Sequence, residues 1–339
     1  MAPQVIISAS ISPVIRTFIL RIKEARLLFS PTLPLFTTLL PFSAKYDSLQ
    51  SPSTKCNNRK ISDAFHVNKC YHIFSVRSFR SFLFLICFFC EFYQNLFTDN
   101  QRFTFNQQIF KKSITRNTAA IMINSPMNPT GTVLEPGFYQ ELAKLRIPVI
   151  SDEIYHGLVY EGKAHSILEY TDQAFVLNGF SKRFAMTGLR LGYLIAPKKY
   201  MKGLWKMQQN FLICASSAAQ KAGIAALRDL ETDGSYCRQM RATYGERRRY
   251  MIVRLREIGF GIPKDPQGAF YIFADARMFT RNSLQFAFDI LEHAHVGITP
   301  GIDFGTGGEG FVRFSYANSL ENIKEGLNRV EQYLKARKS

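Results

Sequence analysis

No glycine occurs before Gly131, and all 21 in this 339-residue chain lie between there and the end. At the ordinary usage of ~7%, a stretch of 130 residues would carry roughly nine. Glycine supplies turns of positive φ and close backbone approach to a ligand, so a stretch without it is ill-equipped for the tight turns of an α/β domain. Other signals divide the chain in the same place. Residues 1–118 hold +10 of the formal charge of +17 and 16 of the 30 phenylalanines. This first third reads as an atypical region, expected to contribute no regular α/β fold to the rest of the chain.

Its apolar runs do not make a membrane span. The longest, Phe82 to Cys90, is bounded by Arg80 and Glu91 and falls well short of the ~20 apolar residues a spanning helix needs. Leu27 to Phe42 contains Pro31, Pro34 and Pro41 and cannot form one helix. Arg16, Arg21 and the absence of an acid before Glu24 give a faint likeness to an organelle transit peptide. Their spacing yields no clean amphipathic face, however, and a cytoplasmic location is expected. Cys87 and Cys90 form a C-x-x-C with Cys56, Cys70, His66 and His72 upstream, but the pair sits in a phenylalanine run without a second C-x-x-C. Incidental cysteine is favoured over zinc. Six cysteines in this length do not make a secreted disulfide scaffold.

From Ala119 the pattern is regular. Short apolar runs at 119–124, 148–152, 175–178, 192–196, 269–274 and 311–315 predict strands. Helical spacing covers 136–145, 198–209, 216–230, 235–258, 283–293 and 320–336. Strand and helix alternating in this rhythm mean an α/β sheet, with ligands beyond the carboxyl ends of its strands. The helix over 235–258 is long enough to bridge two domains. The expected division is an atypical region 1–118, a large domain 119–234 and a small α+β domain 235–339.

Four polar features follow those strands. Asn128-Pro-Thr-Gly131 follows the first, Asp152 and Tyr155 the second, Ser181-Lys182 and Arg190 flank the next turn, and Arg313 lies inside Phe311 to Ala317. Taken singly, each has an ordinary reading as a turn, as chance or as a strand arginine paired with a carboxylate. Three further patterns carry less. Gly305-Thr-Gly-Gly-Glu-Gly310 fits G-x-G-x-x-G but precedes an extended segment, so it reads as a flexible loop and not a dinucleotide site. His293 and His295 cannot share a helical face, which disfavours metal binding. Arg247, Arg248, Arg249, Arg254 and Arg256 read as a solvated face, with Tyr250, Met251, Val253 and Leu255 as the core stripe and no nucleic-acid site.

In this order the blocks Asn124 to Gly131, Ser151 to Tyr155 and Asn178 to Tyr193 resemble those of the fold-type I pyridoxal-phosphate aminotransferases, class I and II. Pro266 to Tyr271, Val296 to Gly301 and Phe311 to Tyr316 resemble the family's small-domain blocks, so the resemblance covers about residues 119–339. It implies a three-layer, mostly parallel sheet with a smaller α+β C-terminal domain, and an enzyme moving an amino group from an amino acid to a 2-oxo acid. By resemblance, Asp152 would face the ring nitrogen of pyridoxal 5'-phosphate, while Tyr155 and Asn128 would donate to its phenolate oxygen. Lys182 would form the Schiff base and, once freed, carry the proton. Arg190, on the returning strand, and Ser181 would bind the phosphate, and Arg313 the substrate carboxylate. The resemblance also implies a homodimer. No block for a phosphate cradle, for an aromatic ring over the pyridine or for the active-site arm is found before Asn124. Two alternatives therefore stay open: a catalytically impaired, fragment-like homologue, and another pyridoxal-phosphate reaction such as a lyase.

Overall fold

A computed structural model describes residues 4–7, 72–76 and 107–337. The apolar runs that follow residue 118 become the centre of a six-stranded sheet. Strands β3 (Thr118–Asn124), β4 (Val149–Asp152) and β5 (Ala174–Gly179) run parallel, and β6 (Gly192–Ala196) returns antiparallel to β5. Two short strands from the first third flank them. β1 (Gln4–Ile7) lies parallel to β3 and β2 (His72–Val76) antiparallel to β6, giving the order β1-β3-β4-β5-β6-β2. Most positions of β3 to β6 are buried irrespective of which face they occupy, as strands covered on both sides require. The other expectations for residues 1–106 lie outside the described residues.

One face of the sheet is covered by α1 (Gln107–Ser113) and α2 (Pro136–Lys144). The second opens with proline at its first turn, where the missing N–H has no intrahelical partner to lose. Its Tyr139 and Leu142 are fully buried with Phe110, Val149 and Val176. α1 lies inside the region where no regular element was expected, and it joins this core through Phe110. Helices α3 (Met201–Phe211) and α4 (Ser217–Thr232) follow β6, and Ala219 of the latter packs with Phe180 and Leu191.

α5 (Ser235–Ile258) starts after Gly234 and stops at Gly259, both left-handed. It leads to a three-stranded antiparallel sheet in the order β7 (Tyr271–Asp275), β9 (Phe311–Ser315) and β8 (Thr299–Pro300). α6 (Ser283–Ala294) and α7 (Leu320–Ala336) cover it. The stripe Ile323, Leu327, Val330 and Leu334 on α7 has the spacing of one helical face and is buried against Ile272, Ile290 and Val312. Each such side chain contributes ~1.5–3 kcal/mol by leaving water. The same core takes in Ile154, Tyr155 and Leu158, which follow β4.

Three sequence expectations change here. Arg248 is buried, not solvated: Nε donates to the Pro266 carbonyl at 2.5 Å and Nη2 to Glu161 at 2.6 Å, so its charge is partnered. Val253 belongs to the exposed side of α5, while Met251, Ile252 and Leu255 face the core. Arg254 pairs with Glu257 and Glu331, and Arg256 with Asp265. The Gly305–Gly310 stretch is also more than a loop. It forms a 3-10 turn at Thr306–Gly308, and Gly308 abuts Gly301 so closely that neither has room for a Cβ.

Candidate active site

The parallel strands end together. Asn124 of β3 and Asp152 of β4 are register partners, and the Asn124 amide donates to the Asp152 carbonyl at 2.9 Å. Its Oδ1 accepts from the Asn128 N–H at 2.8 Å, which fastens the Asn-Pro-Thr-Gly turn to the strand end. Gly131 closes that turn at φ +69°, where a Cβ would collide with Pro266 and come within 2.8 Å of the Gly268 carbonyl. The N–H groups of Gln267 and Gly268 donate to the Gly131 carbonyl at 2.9 and 2.8 Å. Residues 266–268 thus clip the turn that carries Asn128.

Asp152 accepts from the Ile154 N–H at 3.2 Å. Its side chain keeps some contact with solvent, yet burial dominates and pushes the carboxyl up to about 7, helped by neighbouring Glu153 and opposed by the Lys182 charge. Glu153 points elsewhere: it accepts from the Ser151 and Ser166 hydroxyls and the Ile167 N–H, and burial pushes it too up to about 7. Tyr155, 4% exposed, places its hydroxyl 3.0 Å from that of Tyr271. Burial holds the Tyr155 phenol well above its ordinary range, so it stays protonated.

Lys182 and Arg190 lie on the connection between β5 and β6. The Lys182 Nζ stands 5.8 Å from the centre of the Tyr155 ring and 5.4 Å from that of Phe270. Arg190 is exposed and left-handed, in the turn before β6 and not on the strand itself, because that strand begins only at Gly192. Thr187 ties this loop together: its hydroxyl donates to the Ser181 carbonyl at 3.1 Å, and its carbonyl accepts from Arg190 Nη1 at 2.8 Å.

Arg313 comes from the other sheet, in the middle of β9. Nη1 donates to Asn128 Oδ1 at 2.6 Å and Nη2 to Thr299 Oγ1 at 3.0 Å, while its guanidinium carbon sits 4.2 Å above the Tyr271 ring. Nε is buried and has no partner among the described residues. Burial lowers the Arg313 pKa and raises that of nearby Asp303.

The structure therefore gathers Asn128, Asp152, Tyr155, Lys182 and Arg313 in one place, with Ser181 and Arg190 on the loop that carries the lysine. Sequence reasoning missed Tyr271, Phe270, Thr299 and Asn124 as members of this neighbourhood. All four lie within blocks already singled out; what was missing was the pairing across 116 residues in Tyr155–Tyr271 and 185 in Asn128–Arg313. Among the described residues no cluster of three or more His, Cys, Asp or Glu could hold a metal ion. The upstream cysteines lie outside the described residues.

The model of the aminotransferase class I and II family matches residues 90–330, beginning ahead of Ala119. The chain is 39% identical over 234 residues to the (5-formylfuran-3-yl)methyl phosphate transaminase of Methanocaldococcus jannaschii, covering 68% of this chain and 61% of that relative. It is 38% identical over 248 residues to an aspartate aminotransferase of Pyrococcus abyssi, covering 71% and 63%. The aromatic aminotransferase of Pyrococcus horikoshii, as a crystal structure, superposes with a TM-score of 0.75 at 31% identity over 83% of this chain and 84% of that one. The chain spans about three fifths of the length of the curated relatives it matches. With one family model over most of its length, and the α/β architecture of a solved aminotransferase, the chain belongs to the class I and II aminotransferases.

Proposed function

We propose that this chain binds pyridoxal 5'-phosphate and transfers an amino group from an amino acid to a 2-oxo acid. The observation that carries the reading is the meeting of a carboxyl, a lysine amine and a largely buried arginine, drawn from two sheets, around Tyr155 and Asn128. These residues fit the cofactor. The Asp152 carboxyl suits a cationic ring nitrogen, which would favour its ionised form over the burial that raises it, and the buried Nε of Arg313, without a partner among the described residues, suits an incoming carboxylate. When bound, pyridoxal phosphate supplies an electron sink for charge developing at the amino acid's α-carbon.

The chain's own residues do the rest. Asp152 holds the proton on the ring nitrogen. The Tyr155 hydroxyl and the Asn128 amide donate to the phenolic oxygen, and Arg313 leaves Asn128 free for this by occupying only its Oδ1. Lys182 Nζ would anchor the cofactor and, displaced by the substrate's amine, would accept the proton from the substrate α-carbon and return it to the cofactor. Arg313 orients that carbon by holding the carboxylate. Ser181 and Arg190 hold the phosphate from the loop that Thr187 braces. We assign the active form as a homodimer; the exposed Trp205, Phe211 and Ile213, 52%, 65% and 72% accessible, support a covered apolar surface there. We assign a cytoplasmic location. No helix among the described residues is long and apolar enough to cross a membrane.

Borohydride reduction of the cofactor-loaded chain followed by peptide mapping tests the reading. Label on Lys182, together with amino transfer to a 2-oxo acid, is expected. Label on Lys163 or Lys198 would overturn it. A labelled chain that releases products without amino transfer would point to a lyase.

A further inference from the structure

Tyr271 touches Tyr155 and Arg313, the two halves of the site, through different atoms. Its hydroxyl lies 3.0 Å from the Tyr155 hydroxyl, and the two rings meet edge to face at 5.9 Å and 80°. The face of its ring carries the Arg313 guanidinium at 4.2 Å. It is 7% exposed and is held at the start of β7, where Tyr271 pairs with Ser315 of β9, the strand that bears Arg313.

Hydroxyl chemistry sets the direction of this link. Tyr155 has one hydroxyl proton; when that proton is given to the cofactor's phenolic oxygen, the Tyr155 oxygen can only accept, and Tyr271 is then the donor. A phenol that accepts a hydrogen bond becomes a better donor, because the two bonds polarise each other in a buried setting. The ring face, meanwhile, offers Arg313 a flat platform and a favourable quadrupole without using any guanidinium N–H. Arg313 keeps its donors for Asn128, Thr299 and the incoming carboxylate.

We propose that Tyr271 is a positioning residue with two separable tasks: its hydroxyl strengthens Tyr155 as a donor to the cofactor, and its ring levels Arg313 for the substrate carboxylate. This rests on the function proposed above. No atom of Tyr271 itself need touch the reacting carbon, so its effect passes through Tyr155 and Arg313.

The two tasks separate in Tyr271→Phe and Tyr271→Leu, measured in the cofactor-loaded chain. The first readout is the pH midpoint of the bound cofactor's visible absorbance; the second is the dissociation constant of succinate, an unreactive carboxylate. In Tyr271→Phe the phenolic oxygen loses part of its hydrogen bonding and holds the neighbouring nitrogen's proton more tightly. The midpoint should therefore rise by ~0.5 pH unit, with succinate binding changed less than about twofold. Tyr271→Leu should show the same rise and bind succinate about tenfold more weakly. In a Tyr155→Phe background, Tyr271→Phe should leave the midpoint where it was. An unshifted midpoint in Tyr271→Phe alone, or an equal loss of succinate binding in both variants, would overturn the inference. A wild-type chain that takes up no cofactor and shows no visible band would instead overturn the functional reading beneath it, so the two failures are told apart.

Discussion

Replacing Asp152 by Asn tests the electrostatics of the site without needing turnover. Burial raises this carboxyl from 3.8 to about 7, so the folded chain without cofactor keeps a proton that the unfolded chain has already released. The stabilisation is therefore fully present below about pH 4 and is lost as pH rises through about 7. Three pH units correspond to ~4 kcal/mol, at 1.36 kcal/mol per unit. About two of those units lie above pH 5, which leaves ~3 kcal/mol between pH 5 and pH 8. Residual solvent contact and relaxation around the charge reduce this to ~1–2 kcal/mol. Asparagine keeps the shape and the oxygen that accepts from the Ile154 N–H, but it has nothing to titrate. Urea unfolding of both chains at pH 5, 6, 7 and 8 should therefore show Asp152→Asn gaining ~1–2 kcal/mol on the wild type across the series. Glu153 titrates in the same range in both chains, so most of its contribution cancels in the difference, and its repulsion with the Asp152 charge is part of what the substitution removes. Curves that stay parallel from pH 5 to pH 8 would refute the reasoning. Loading the wild type with cofactor should flatten its pH dependence, since a protonated ring nitrogen favours the ionised carboxylate.

Two further substitutions probe how the site is held. Gly131→Ala, at φ +69° and against Pro266 and Gly268, should cost ~2–4 kcal/mol in denaturant unfolding; a cost under about 1 kcal/mol would mean that the 266–268 clip is soft. Arg248→Met should cost ~2–3 kcal/mol by stranding the Pro266 carbonyl, whereas Glu161→Gln, with that side chain 59% exposed, should cost under about 1 kcal/mol. Equal costs in thermal or urea unfolding would contradict the unequal burial of the pair.

Where information is local, the chain declares itself. The strands at 192–196 and 311–315 and the helices over 235–258 and 320–336 have the same bounds in sequence and structure. Apolar period, terminal glycines and proline punctuation act within a few residues and need no distant partner. The residue types of the proposed site were legible only as a set and through family resemblance, since each taken singly has an ordinary reading. Arg248 and Val253 mark where such reasoning stops. A helical period identifies a stripe, but Val253 lies on the outward side because of what α5 packs against, and Arg248 can be buried only because Pro266 and Glu161 meet its donors. α1 was hidden because seven residues make too short a pattern to read, and its place is decided by Phe110 entering a core built by later strands. Likewise, no local rule places the Tyr271 hydroxyl on Tyr155 or Arg313 on Asn128. Those contacts exist because two sheets bring together residues more than a hundred positions apart, and hydrogen bonds and ring contacts act only over the few ångströms that tertiary structure sets.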